Sequence, residues 1–189
     1  VVLFVLGNAA FAQTRVATVD MRKLFDKYWK TEQAQKALTD RRNDLAKESN
    51  TLRENYKKDG DEYKKLLAEA NDQAISAAER DKRKEAAETK LKEIKQSEET
   101  IVQFERSAKE QLDGQNRRMR ENIIKEIRTV VSARGKSAGY TLVVDTAADS
   151  SNGTPIVLFD SGDNDLTDAV LSQLNAGAPV ETKKPASGK

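Results

Sequence analysis

Leu38, Leu45 and Leu52 recur every seven residues, Tyr56 and Tyr63 repeat the interval after a shift of four, and Leu66, Leu67 and Ala70 complete the stripe. That spacing predicts a long helix with coiled-coil periodicity and one phase change. Polar residues such as Arg42 and Asp59 interrupt the stripe, so the seam is thin. A second stripe passes through Leu91, Ile94, Ile101, Phe104, Ala108, Leu112, Met119, Ile123, Ile127 and Val130 in steps mostly of three, four and seven. It predicts a return helix of more than about fifty residues, roughly 80 Å long at 1.5 Å per residue. The turn between the two is expected at about Asn71 to Ile75, and Ser76 with Glu79 has the spacing of a capping box just beyond it. The pair makes an antiparallel coiled-coil hairpin, an arm spanning residues 30–134.

The flanks change period. "RVATVD", Arg15 to Asp20, reads as a strand, and Asp20 stands at the N-cap position before "MRKLFDKYW". Met21, Leu24, Phe25, Tyr28 and Trp29 fall on one face of a helix expected to run on into the arm. At the far end Gly135 and Gly139 in "SARGKSAG" are expected to stop the return helix. Two further strands follow, "YTLVVD" (Tyr140 to Asp145) and "PIVLFD" (Pro155 to Asp160), with "AADSSNGT" as the turn between them. "DNDLTDAVLSQLN" then predicts a short helix with Asp165 as N-cap and Asp168 at the capping-box position. The fold class is therefore α+β: a small β-sheet body, from residues 13–29 and 135–178, carrying a long helical hairpin. Leu24, Phe25, Tyr28, Val143, Leu158, Val170 and Leu174 are the residues expected to build the body and its assembly. A body below about 70 residues, with no disulfide, buries little apolar surface alone, so oligomerisation is physically favoured.

Both ends differ from the middle. Val1 to Phe11 is apolar except for Gly7 and Asn8 and closes on Ala10-Phe11-Ala12, which reads as a signal peptide over residues 1–12, cut before Gln13. It is shorter than the roughly 20 residues needed to span a bilayer. The charged segment that normally precedes such a stretch is taken to lie upstream of the printed sequence. Residues 179–189, "PVETKKPASGK", read as a disordered basic tail.

The net charge of +2 conceals three electrical segments. Lys36 to Glu110 carries 18 basic and 18 acidic residues, Gln111 to Gly139 seven against three, and Tyr140 to Ala178 six Asp with no Lys or Arg. With no cysteine and no histidine, the soft metal ligands and the commonest acid-base group are missing. "RGKSAG" lacks the earlier glycine of a phosphate loop and follows a helix. Asp160, Asp163, Asp165 and Asp168 do not match a calcium loop and suit turns and helix starts. Asp20, Asp145 and Asp160 each end a strand, yet so small a body offers no cleft for carboxylate catalysis. Asn152-Gly153-Thr154 fits a glycosylation sequon, but Asn-Gly is also the expected turn pair. No enzyme activity, metal or cofactor is expected. The basic connector, Arg117, Arg118, Arg120, Lys125 and Arg128, is broken by Glu121 and Glu126, which argues against nucleic acid and leaves contact with anionic lipid headgroups or acidic clients as an auxiliary role.

"RVATVDMRKLFDKYWKTEQAQKAL", the charged hairpin and "GYTLVVD...IVLFDSGDNDLTDAVLSQLN" together resemble the Skp/OmpH-like periplasmic chaperones, from Arg15 to Asn175. Val16 to Tyr28 and Asp165-Leu166-Thr167 carry the most specific part of the resemblance. It implies a periplasmic homotrimer whose sheets associate into a β-barrel-like body, with three arms enclosing an unfolded outer-membrane protein without ATP. Tyr56, Tyr63, Leu66, Leu67, Ile75, Ile101 and Phe104 are then candidates to face the client, although each serves the hairpin seam equally well. An envelope spacer, or a peripheral binder of anionic lipid or polysaccharide, is the alternative reading.

Overall fold

The structure, a computed structural model, describes residues 14–179. The expected signal peptide and nearly all of the basic tail lie outside them. In chain order the elements are β1 (Val16–Val19), α1 (Met21–Lys27), α2 (Trp29–Ala70), α3 (Ala77–Ser137), β2 (Leu142–Asp145) and α4 (Thr167–Asn175). The described residues divide into two compact units, one formed by 14–34 with 119–179 and the other by Gln35–Arg118. The inner ends of α2 and α3 therefore belong with the body, because Trp29, Ala34, Met119, Ile123, Ile127 and Val131 pack into its core.

In the body, β1 and β2 pair in parallel, with Val16 opposite Leu142 and Val19 opposite Asp145. On its other side β1 meets the chain before α4: Thr18 donates its N–H to the Asn164 carbonyl at 3.1 Å and accepts from the Leu166 N–H at 2.9 Å. Ala17, Leu24, Ile127 and Val170 are fully enclosed in the core beneath. Asp20 caps α1 as expected, its carboxylate accepting from the Lys23 N–H at 2.7 Å.

Four expectations are corrected. The first helix does not run on into the arm but breaks at Tyr28, whose backbone is extended (φ −74°, ψ 123°). Asn175 of α4 holds the break open: its amide oxygen accepts from the Trp29 N–H and its NH2 donates to the Lys27 carbonyl, each at 3.0 Å. Backbone groups freed by a broken helix need such partners. Gly135 does not end α3. It lies inside the helix, where an added Cβ would come within 2.9 Å of Val143, so the glycine permits close helix-strand approach. The helix ends at Ser137, and Gly139 beyond it takes the left-handed φ of 74°.

The third expected strand does not form among the described residues: Pro155 makes one isolated bridge to Asp149, Ile156 donates its N–H to the Ala148 carbonyl at 2.9 Å, and residues 157–160 join no sheet. The last helix starts one residue later than expected, at Thr167, with Leu166 and not Asp165 at the N-cap position. Asp165 accepts from the Thr167 N–H at 2.8 Å, and Asp168 pairs with Lys23 at 2.8 Å.

Candidate functional site

In the body unit, six of the seven residues expected there belong to or pack against the core: Leu24, Tyr28, Val170 and Leu174 are buried, and Phe25 and Val143 lie against them. Leu158 does not. It is 83% exposed, with Ile156 at 59% and Phe159 at 86%, so residues 155–160 form an apolar strap over no core of their own. A hairpin stub projects the strap. Ser150 donates its N–H to the Thr154 carbonyl at 2.8 Å, and Ile156 donates to Ala148 at 2.9 Å. The far end is tied to β1 by Thr18 Oγ1 donating to Asp160 at 2.8 Å.

An open groove runs between β2 and the C-terminal part of α3. Val19, Ile124, Val131 and Val143 form its apolar floor, and Lys125, Arg128 and Lys136 stand along it. None of those three cations takes part in an ion pair among the described residues. Glu121 and Asp145 also line it, but Asp145 is occupied, accepting from the N–H groups of Met21 and Ala147. The outer edge of β2 carries no strand among the described residues.

Beneath the break at Tyr28 lies a polar latch. Glu126 Oε2 accepts from the Tyr28 hydroxyl and from Lys30 Nζ, each at 2.8 Å. The Lys30 ammonium, with help from the phenol, holds the Glu126 carboxyl below its ordinary value, and the carboxylate in turn raises Lys30. Burial first, then Glu126, raises Tyr28. Sequence reasoning named Tyr28 for packing and missed the latch, since Glu126 lies 98 positions away.

The arm unit, Gln35–Arg118, is thinly packed. Among its described residues only Leu45, Ala70 and Ala87 are buried apolar positions. Tyr56, Tyr63, Leu66, Ile75, Ile101 and Phe104 are half-buried, and Leu67 is exposed. Val102, not singled out by the pattern, is 63% exposed.

Polar contacts join the two helices instead. From the turn inward, Glu69 meets Arg83 at 2.9 Å, Asp59 and Glu62 meet Lys90 at 3.3 and 3.0 Å, Arg53 meets Glu105 at 2.6 Å, and Arg41 meets Gln111 at 2.9 Å. Partner numbers fall on α3 as they rise on α2. Arg53 and Ser49 hold the Glu105 carboxyl below its ordinary value, and the carboxylates of Glu93, Glu62 and Asp59 raise Lys90. The turn between α2 and α3 takes residues 71–76. Ser76 Oγ accepts from the Glu79 N–H at 3.2 Å, while the Glu79 carboxylate goes to Arg83 at 3.1 Å instead of closing the box.

The basic connector divides between the units. Arg117 and Arg118 fall in the arm unit, the latter folded over Gly114, whereas Arg120 stacks its guanidinium 5.0 Å from the Phe25 ring and Lys125 and Arg128 face the groove. The aspartates considered for metal or catalysis are each engaged locally: Asp160 by Thr18, Asp163 by Ser161, Asp165 by Thr167 and Asp168 by Lys23. Among the described residues no group of three potential metal-binding side chains forms.

The family model described as outer membrane protein (OmpH-like) matches the chain over residues 15–174. The chain belongs to the OmpH-like family. That family is periplasmic and associated with chaperone function. No curated protein matches the chain. No helix among the described residues is long and apolar enough to cross a membrane.

Proposed function

We propose that this OmpH-like chain is an ATP-independent periplasmic holdase: a homotrimer whose antiparallel coiled-coil arms enclose unfolded outer-membrane β-barrel proteins and prevent their aggregation. The observation that carries the reading is the thinness of the arm seam. A hairpin serving only as a rod would bury its stripe, whereas Tyr56, Tyr63, Leu66, Ile101 and Phe104 remain half-open and Leu67 and Val102 face outward. Such positions offer many weak apolar contacts among charges that keep a complex dissolved. Weak contacts made in parallel hold a client firmly yet break one at a time, so release needs no nucleotide. The exposed strap at Ile156, Leu158 and Phe159 supplies surface for the assembly that a small body requires.

Light scattering tests the proposal. An unfolded outer-membrane β-barrel protein is diluted out of urea with and without residues 13–189, and multi-angle scattering reports the mass of the complex. One client per three chains with suppressed aggregation is expected, and Tyr56→Ser/Tyr63→Ser/Phe104→Ser should weaken suppression while leaving the trimer. Unchanged aggregation beside a well-formed trimer would refute holdase action and favour an envelope spacer.

A further inference from the structure

Thr31 Oγ1 is the one buried side-chain oxygen or nitrogen among the described residues that no protein group satisfies, in a residue only 1% exposed. A buried hydroxyl without a partner bears its full desolvation cost, so its presence calls for a reason. The other threonines of α2 and α3 supply one. Thr39, Thr51, Thr89, Thr100 and Thr129 each donate to the carbonyl four residues back, at 2.8 to 3.1 Å. For Thr31 that carbonyl belongs to Lys27, and the NH2 of Asn175 occupies it at 3.0 Å.

One torsion separates Thr31 from its missing partner. Lys27 closes α1 and Trp29 opens α2, so Tyr28 alone stands between two helices. Its φ of −74° is already close to the helical value of about −63°, and only its ψ of 123° departs from the helical value of about −42°. No proline or glycine occurs from Met21 to Asp59, so the local sequence contains no stop. With that ψ turned, the ordinary helical pattern would carry the Trp29 N–H to the Phe25 carbonyl and both the N–H and the hydroxyl of Thr31 to Lys27.

We propose that residues 27–31 are a two-state element controlled by α4: broken while Asn175 of the docked helix holds Trp29 and Lys27, and continuous as one helix from Met21 into α2 when α4 lifts. Asn175 contributes two hydrogen bonds to the broken state, and helix continuation replaces both and adds that of the Thr31 hydroxyl. Hydrogen bonding therefore favours continuity, and the docking of α4 opposes it. Val170 and Leu174 sit in the core, Thr167 Oγ1 accepts from the Asp20 N–H at 2.9 Å, and Asp168 meets Lys23 at 2.8 Å. Release of one such element below global unfolding is an ordinary sub-global opening. The backbone at the start of α2 thus reports whether the body is closed, through contacts within one chain and independently of the holdase reading.

Tyrosine Cα chemical shifts read the torsion. The full chain, deuterated and labelled with 13C at tyrosine Cα, gives four signals, and Tyr28→Phe identifies the one from Tyr28. In wild type it should lie at an extended value. Asn175→Ala should raise the population of a helical Tyr28 form by about tenfold, seen as a second signal or as relaxation dispersion. Adding Thr31→Val, which fills the same space without the hydroxyl, should cut that population by about fivefold. Leu174→Ala loosens α4 with Asn175 in place and should also raise it, which keeps the test open if Asn175→Ala does not fold. Thr31→Val alone should raise the midpoint of urea unfolding. A Tyr28 signal that stays extended and free of exchange when α4 is loosened would overturn the two-state element, as would a helical form indifferent to Thr31→Val. A lower urea midpoint for Thr31→Val, with Tyr28 unchanged, would assign the hydroxyl to a buried water and overturn the proposal too.

Discussion

Tyr28→Phe removes one oxygen atom at the helix break and nothing else. The ring is 4% exposed and the replacement fills the same space, so no cavity contributes. What is lost is the hydroxyl donated to Glu126 at 2.8 Å. Hydrogen bonds to a charged acceptor contribute about 1.5–3 kcal/mol when well desolvated. Glu126 keeps Lys30 as a partner and its side chain is 44% exposed, so water restores part of the loss and about 1 kcal/mol is expected. In a chain of this size that lowers the melting temperature by about 2–4 °C.

The sign of the pH dependence follows from Glu126. Its folded pKa lies below the ordinary 4.5, so its contribution is present above that value and disappears as pH falls through the folded pKa. The gap between wild type and Tyr28→Phe should therefore be full at pH 7 and shrink as the solution is taken below about pH 4. Urea unfolding followed by circular dichroism measures it, with wild type and variant at one protein concentration, because the stability of a chain that self-associates depends on concentration. Equal stability at pH 7, or a gap that does not change with pH, would refute the latch.

Gly135→Ala should destabilise the body by about 1–3 kcal/mol in the same assay, although alanine is the better helix former, because its Cβ meets Val143 at 2.9 Å. Adding Val143→Ala should recover part of that loss. Asn175→Asp keeps the acceptor for Trp29 N–H but turns a second oxygen toward the Lys27 carbonyl, and hydrogen exchange at residues 27–31 should quicken while the arm is unaffected. Lys90→Gln leaves Asp59, Glu62 and Glu93 facing one another, so the arm should melt earlier at low salt and regain most of its stability in 1 M salt, where screening length falls to about 3 Å.

Local signals made much of this fold legible. The seven-residue stripes anticipate the half-buried line through Tyr56, Tyr63 and Leu66, and Asp20 caps α1 because an N-cap depends only on residues within one turn. The break at Tyr28 was not legible, since nothing near it forbids helix; Asn175, 146 positions later, supplies the competing hydrogen bonds. Gly135 reads as a stop by composition and acts as a contact, a choice made by Val143 across the groove. Residues 155–160 have the apolarity of a strand, but pairing is a property of two segments, and among the described residues it stops at Pro155 and Ile156 against Asp149 and Ala148. Candidate contact residues are the least legible part, because one heptad position serves a seam and a client alike.

The parallel pairing of Val16–Val19 with Leu142–Asp145 joins the beginning of the described chain to nearly its end. Closing residues 20–141 as a flexible loop costs about 4 kcal/mol beyond the length-independent part. Zipping the two long helices first removes most of that cost, since their cross-contacts draw Ala34 and Met119 toward one another step by step from the turn. Order of events is thereby built into topology: local helical contacts form quickly, and the sheet, with the highest contact order, forms last. The body cannot be completed until β2 has been added to the chain, so a copy cut short before Leu142 lacks the β1-β2 pair and the core that it covers.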